Sequence, residues 1–469
     1  MLSPLIRRPR RNSEPRSKER GVTMALVAIT IVALISMAAL SIDIGTLYQA
    51  KAEAQRAADA AALTAARVIS ISGITGDPAN STSSWQLVCG GTSSPATQAA
   101  TFVAEQKLTG TPVPYTVNVY YGTNAGVGTD TDCSAEGSAF GVNPIVMVTV
   151  QRTNLPIFFA KIFSLFNSTY SGASVSASAT AEAFNPSASN TVGSSGTVIP
   201  VQPRCVKPWI IPNIDPTTGK AFVTVANGSI NNAGVSQLGA GVIGENFNIT
   251  ADCHHNRANC SGGNMIANPP TSAASLIHYV PALVTGTPTA VPSCASADTF
   301  QEASGGCDQG TVYACGIQQG NQAGLNENPM NPNGLDGDTG TAVQCLTNST
   351  AGPDQLHFAS FPFQIQAGSG NPLVKGGVVS SGSVITTSNS IVTIPIYDNT
   401  PNTNTLAGTQ PYVTIVGFLQ VFIQNIAANG ELNVYVLNVA GCGNGLTTTV
   451  SSSPAFGTSP VPVRLITPP

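Results

Sequence analysis

From Val22 to Ile42 the chain runs for 21 residues without a charge, and its polar side chains are Thr23, Thr30, Ser36 and Ser41. As a helix rising 1.5 Å per residue, this run is about 31 Å long, the thickness of a bilayer's hydrocarbon core. After Asp43 the composition turns Ala-rich and charged, with no proline before Pro78. One helix is therefore expected to begin in lipid and continue into water.

The flanks orient it. Residues 1–20 carry seven basic side chains, ending at Lys18 and Arg20, against Glu14 and Glu19. Basic residues beside a span stay on the cytoplasmic side. The reading is a single-pass protein of the inner (cytoplasmic) membrane, N-terminus inside, with the following domains periplasmic or extracellular. A cleaved signal is the rival, with Ser36-Met37-Ala38 as a small-x-small site. The apolar run exceeds the usual ~7–15 residues of a signal core, and the helical pattern crosses that site unbroken. This favours an uncleaved anchor, while processing at Gly21 or removal near Ala38 stays open.

The aqueous half has its own pattern. Ala50, Ala54, Ala57, Ala58, Ala61 and Ala65 recur at spacings of three and four, which lines one face with small side chains. Leu47, Leu63 and Val68 add bulk beside it, and Glu53, Arg56 and Asp59 can pair along the solvated side. Alanine is the best helix former, so a plain stalk is one reading. The other is a packing seam, against the chain's own globular part or against a second copy in a homo-oligomer.

The segment SIDIGTLYQAKAEAQRAADAAALTAA, after an Arg-Gly and an apolar span, resembles the N-terminal domain of TadG-like proteins of Flp (tight adherence) pilus assembly. The residues carrying the resemblance are Arg20, Gly21, Asp43, Gly45, Tyr48, Gln55, Ala57, Ala58, Asp59, Ala61 and Leu63, with Ala54 where the family has leucine. The resemblance implies a non-enzymatic role in anchoring or assembling a pilus, with other Flp/Tad components as partners. Two family features are missing. Prepilins carry a glutamate five residues after the processed glycine, and that position is Leu26 here. The Asp-x-Ser-x-Ser that opens a von Willebrand A-type metal site does not occur.

Charged residues make up only 9% of the 469, against ~25% in an average soluble domain. Beyond residue 20 there remain 12 basic and 21 acidic side chains, so the ectodomain has no basic footprint for nucleic acid. All ten cysteines fall after residue 88, on the oxidising side, which points to disulfides. Cys89–Cys133 is the pairing expected in the first domain, whose only cysteines they are, and Cys253–Cys260 and Cys307–Cys315 are expected as short local loops.

The fold class expected is α+β. A long transmembrane and stalk helix (22–42 in the membrane, after a basic segment 1–21) leads into a small pilin-like α+β domain, 43–185. A Pro/Ser/Gly/Asn linker at 186–196 precedes a mainly-β, disulfide-containing sandwich or barrel, 197–469. In the first domain, 97–108 reads as a helix and 115–122, 144–152 and 172–184 as strands, while Phe158, Phe159, Ile162, Phe163 and Phe166 give 155–166 a helical apolar side. In the second, strands are expected at 221–226, 276–284, 361–366, 390–397, 412–426 and 431–439. Asn429-Gly430 turns the last pair into a hairpin.

Catalytic and metal motifs are weak. Cys253-His254-His255-x4-Cys260 has zinc-ligand residue types, but an oxidising compartment favours a bridge. Asn331, Asn333, Asp336 and Asp338 lack the regular spacing of a calcium loop. Asp354 and His357 have no Gly-x-Ser-x-Gly nucleophile to serve, and no phosphate-binding loop appears. No cofactor and no enzymatic activity are expected. The partners are the bilayer and pilus components, and the rival function is surface recognition by an adhesin-like protein using the same anchor.

Overall fold

The computed structural model describes residues 17–72, 82–108, 114–123, 126–128, 131–136, 140, 144–157, 173–183, 201–225, 228, 230–232, 234–236, 241–251, 275–290, 294–296, 298–313, 315, 337–357, 363–400, 413–442 and 455–466. Helix α1 (Ser17–Ile71) is followed by α2 (Thr82–Cys89), α3 (Pro95–Leu108) and strands β1 (Tyr115–Thr123), β2 (Gly126–Val127), β3 (Ile145–Leu155) and β4 (Ala173–Ala183). Then come β5 (Val201–Pro203), β6 (Trp209–Pro212), β7 (Asn246–Ala251), β8 (Leu276–Pro281), α4 (Thr299–Gly305) and α5 (Asp338–Leu346). The chain continues with β9 (Gln355–His357), β10 (Gln364–Gln366), α6 (Pro372–Lys375), β11 (Val384–Ile385) and β12 (Ile391–Tyr397). It closes with β13 (Ile415–Ile426), β14 (Leu432–Gly441), β15 (Ala455–Gly457) and β16 (Val463–Ile466). The class is α+β: a long apolar N-terminal helix, then a mostly-β body.

Contacts divide the chain into two compact units. The first holds Met1–Gln55, Gly110–Thr116 and Val150–Ala177; the second holds Arg56–Thr109, Val117–Thr149 and Ser178–Pro469. Within the first, the helix is tied to strand residues by charge. Arg152 Nη1 on β3 donates to Glu53 Oε2 at 2.5 Å, and Lys51 Nζ donates to the Ser176 carbonyl on β4.

In the second unit the Cys89–Cys133 disulfide ties α2 to the segment after β2. Buried Tyr121 of β1 bonds Thr97 Oγ1 of α3 at 2.8 Å and meets Phe140 edge-on at 6.3 Å. The five-stranded sheet has the order β16-β4-β3-β1-β2. Its edge strand comes from the far end of the chain: β16 pairs antiparallel with β4, and Arg464 forms an ion pair with Glu182.

The core of the second unit is a closed barrel of order β12-β13-β14-β7-β8-β6. β13 and β14 form its long hairpin, and its turn is set by Gly430 at φ +83°, a backbone that favours glycine. Both strands are buried along most of their length, because the barrel interior takes one face and flanking segments cover the other. Val206, Ile210, Val280, Tyr313, Val413 and Phe418 are among the residues of one apolar cluster, together with the Cys315–Cys442 disulfide.

Several expectations need correction. Cys307 and Cys315 do not bond each other: Cys307 pairs with Cys205 and Cys315 with Cys442. Between them Asp308 Oδ1 accepts the Gly310 and Thr311 amides in a tight turn, and the chain then carries Tyr313 and Cys315 into the barrel core. A fourth disulfide joins Cys294 and Cys345. Cys253, Cys260, the 186–196 linker and the phenylalanines of 158–166 lie outside the described residues. The 221–226 segment makes a single bridge at Val223 rather than a strand. The Asn213 side chain occupies that residue's backbone instead, donating to Val223 O at 2.8 Å and accepting from Val223 N at 3.0 Å.

Candidate functional site

Helix α1 is the candidate site, because it carries both the long apolar run and the small-residue face. It is continuous because no proline falls between Pro15 and Pro78. In residues 22–42 the large apolar side chains stand in the open, from Val22 and Met24 to Leu40 and Ile42. The hydroxyls in this run bond back to the helix. Thr30 Oγ1 donates to the Leu26 and Val27 carbonyls at 3.1 and 2.9 Å, and Ser36 Oγ donates to Val32 O at 2.8 Å. A hydroxyl satisfied in this way can lie in hydrocarbon without stranding a polar group. The helix is long and apolar enough to cross a bilayer.

The exposed apolar stripe is not complete around the helix. Ala39, Asp43 and Ala50 are buried within the first unit, and Asp43 is only 2% exposed. On other sides Gly45 has nothing within 4 Å of where a Cβ would project, and Tyr48 is 74% exposed. Arg20 and Gly21 fall in the first turns of α1.

In the second unit the same helix is closed off. Ala57, Ala58, Ala61, Ala62, Ala65 and Ala66 have no exposed surface, while Asp59 and Leu63 are half-buried beside them. The small face is thus a seam against the chain's own body. Of the two expectations for this face, the packing against the chain's own globular part is the one seen here.

A polar row on the barrel receives the end of the helix. Thr393, Gln420 and Asn438 are register neighbours across β12, β13 and β14, and all three are buried. Asn438 Nδ2 donates to the Ser70 carbonyl at 2.6 Å, satisfying one of the acceptors a helix leaves open at its C-terminus. Gln420 Nε2 donates to Ser459 Oγ at 2.8 Å, and Thr393 Oγ1 donates to Thr458 O at 2.8 Å. Ser70 Oγ in turn donates to Val461 O at 3.0 Å. Three wall residues therefore hold both the last turn of α1 and the segment leading to β16. Their even spacing across the sheet becomes visible only once the strand registers are known.

Residues 21–68 match the family model described as putative Flp pilus-assembly TadE/G-like. Over these residues helix α1 is similar to the TadE/G-like family. No curated protein and no solved structure matches the chain. The matched residues cover the apolar run, whose large side chains are exposed, and the buried alanine seam.

The chemical candidates resolve differently. Asp354 is fully engaged: it accepts from Gly368 N at 2.8 Å, from Asn371 Nδ2 at 2.9 Å and from Ser388 Oγ at 2.5 Å. It pins the loops around β9 and β10 and has no oxygen turned toward a reacting group. Asp338, in the first turn of α5, is pushed up to about 6 by burial and by the charge of Asp298. Its neighbours Asn331, Asn333 and Asp336, and the pair His254 and His255, lie outside the described residues. Among the described residues no group of three or more His, Cys, Asp or Glu side chains is placed to hold a metal.

Proposed function

We propose that this protein is a non-enzymatic component of Flp/Tad-type pilus assembly, anchored by one membrane span with its N-terminus inside. On this reading the TadE/G-like helix holds the β-rich, disulfide-bonded body on the outer side of the membrane, as anchor or minor subunit. The observation that carries the reading is the match over residues 21–68, on a helix whose first half exposes large apolar side chains. The seven basic residues before Gly21 support the inside placement of the N-terminus. The Cys89–Cys133, Cys205–Cys307, Cys294–Cys345 and Cys315–Cys442 bonds suit an oxidising exterior.

The test combines deletion with fractionation. A deletion strain is expected to lose pili, and a C-terminally tagged copy that restores them should sediment with membranes at its full mass. Intact pili with lost surface binding would instead assign the protein to recognition. Mature protein free in the medium with a new terminus near Ala39 would overturn the anchor.

A further inference from the structure

One disulfide is built differently from the others. Of the four seen among the described residues, Cys205–Cys307 is the one in which both cysteines are half-buried. Each of the other three has a cysteine at 7% exposure or less: Cys89 and Cys133 have no exposed surface, Cys294 is 7% exposed and Cys442 is 3% exposed. Cys205 also carries backbone strain. Four described non-glycine residues have a positive φ; three are asparagines, which tolerate that region, and the fourth is Cys205 at +56°. Arg204 stands exposed beside it. Cys307 is held in place: its amide donates to Thr289 O at 3.1 Å, and its carbonyl accepts the Thr289 amide at 2.8 Å. Its sulfur has a donor of its own, the Gln309 Nε2, 3.7 Å from Sγ.

We infer that Cys205–Cys307 is a thiol–disulfide exchange site, opened by the dithiol of a reductant through attack at Cys205. A disulfide that is both accessible and strained is the exchangeable kind. The attacking thiolate bonds to Cys205 Sγ as the Cys205–Cys307 bond breaks, and the electron pair of that bond leaves with Cys307 Sγ as a thiolate. The reductant's second thiolate then attacks its own half of the mixed disulfide. The reductant departs oxidised to a disulfide, Cys205 is released as a thiolate, and the two protein sulfurs take up the protons that the dithiol gave up. The charge of Arg204 draws the incoming anion toward Cys205, and the Gln309 amide steadies the anion formed at Cys307. Asp308, next in the chain, opposes that anion, but its Oδ1 is engaged by the Gly310 and Thr311 amides, and the Lys207 amine sits on the carbonyl of Gly306. Opening lets Cys205 leave the left-handed region and cuts a tie between residues 102 apart in the chain. The barrel stays closed, because Lys207 N still donates to Thr393 O at 2.8 Å and Trp209 Nε1 to Ser304 Oγ at 3.2 Å.

Dithiothreitol applied to the full chain in detergent at about pH 8, with thiols trapped by N-ethylmaleimide and located by peptide mass mapping, tests the site. Cys205 and Cys307 should become labelled at least about tenfold faster than the cysteines of Cys89–Cys133, Cys294–Cys345 and Cys315–Cys442. A species in which only Cys205–Cys307 of these bonds is open should accumulate. Gln309→Ala, at an exposed residue, should fold as the wild type does and slow the opening about threefold. A single-thiol reagent, 2-mercaptoethanol, should be trapped as a mixed disulfide on Cys205. Earlier opening of another of these bonds, or opening of all of them together, overturns the exchange site. An adduct on Cys307, or a rate that Gln309→Ala leaves unchanged, overturns attack at Cys205.

Discussion

The two halves of α1 share one backbone and oppose each other in everything else. Residues 22–42 expose valine, leucine, isoleucine and methionine, while Ala57, Ala58, Ala61, Ala62, Ala65 and Ala66 are hidden completely. Side-chain size, more than hydrophobicity, tells what covers a helix. Large apolar groups gain most from leaving water and can face a fluid solvent of tails. Small ones gain little by burial but let another backbone come close. The helix changes from one style to the other after Asp43.

The largest break in this contrast should come from a charge in the first half. Leu34 stands exposed in the middle of the apolar run. Leu34→Asp should cost about 3–4 kcal/mol of insertion, removing most of the chain from the membrane fraction in an insertion assay. Ala52→Asp, exposed on the aqueous side, should change little beyond the difference in helix propensity, under about 1 kcal/mol. Equal effects at the two positions would dissolve the division.

pH should act on the body and leave the span alone, since residues 22–42 carry no titratable side chain. Lys207 is buried, its Nζ donating to Gly306 O at 2.6 Å, and burial pulls its amine down to about 7. Above that value the folded chain holds Lys207 neutral, while the unfolded chain keeps it protonated up to about 10.5. The unfolded state binds the extra proton, so stability rises with pH across this window and reaches its low plateau below 7. Glu245, raised to about 8 by burial and by its contact with Asp215, has the opposite slope: its contribution is present at low pH and lost as pH climbs to that value. Between pH 8 and 10 the lysine acts without it, at about 1.4 kcal/mol per pH unit. Thermal melts of Lys207→Met should be flat where the wild type climbs, and membrane retention of both proteins should not vary.

Overpacking offers a finer comparison. Ala61 is fully enclosed, and Ala61→Leu should destabilise the body by about 1–3 kcal/mol in denaturant melts. Ala33, exposed in the apolar run, should accept leucine with no loss. A tolerated leucine at position 61 would mean that the seam is looser than its burial suggests.

The long apolar helix, the alanine seam and the hairpin around Asn429-Gly430 were legible in the sequence because each is a local pattern. Other features need contacts between distant residues. Thr393, Gln420, Asn438 and Ser70 come together through strand register and chain reversal, and no local periodicity marks them. β16 pairs with β4 across some 280 residues, on a strand of four residues too short to stand out. The cysteines show why proximity misleads: the eight-residue step from Cys307 to Cys315 crosses a tight turn, while their true partners are 102 and 127 residues away. At 221–226 the alternation was present, but the Asn213 side chain took the backbone bonds a neighbouring strand would have made.

The smallest effect concerns Gly45, at the junction of the two halves. Glycine inside a helix costs about 1 kcal/mol relative to alanine, so a helical glycine usually answers to a neighbour that needs the space. Here a Cβ would meet nothing within 4 Å. Gly45→Ala should therefore raise the stability of the isolated chain by about 0.5–1 kcal/mol, read as a small upward shift in the helical melt. If the variant is stabilised yet fails to restore pili in the deletion strain, the space at Gly45 serves a contact outside this chain. If it restores them fully, the glycine has no such duty, and the boundary between lipid and water is set by Asp43 and the alanines beyond it.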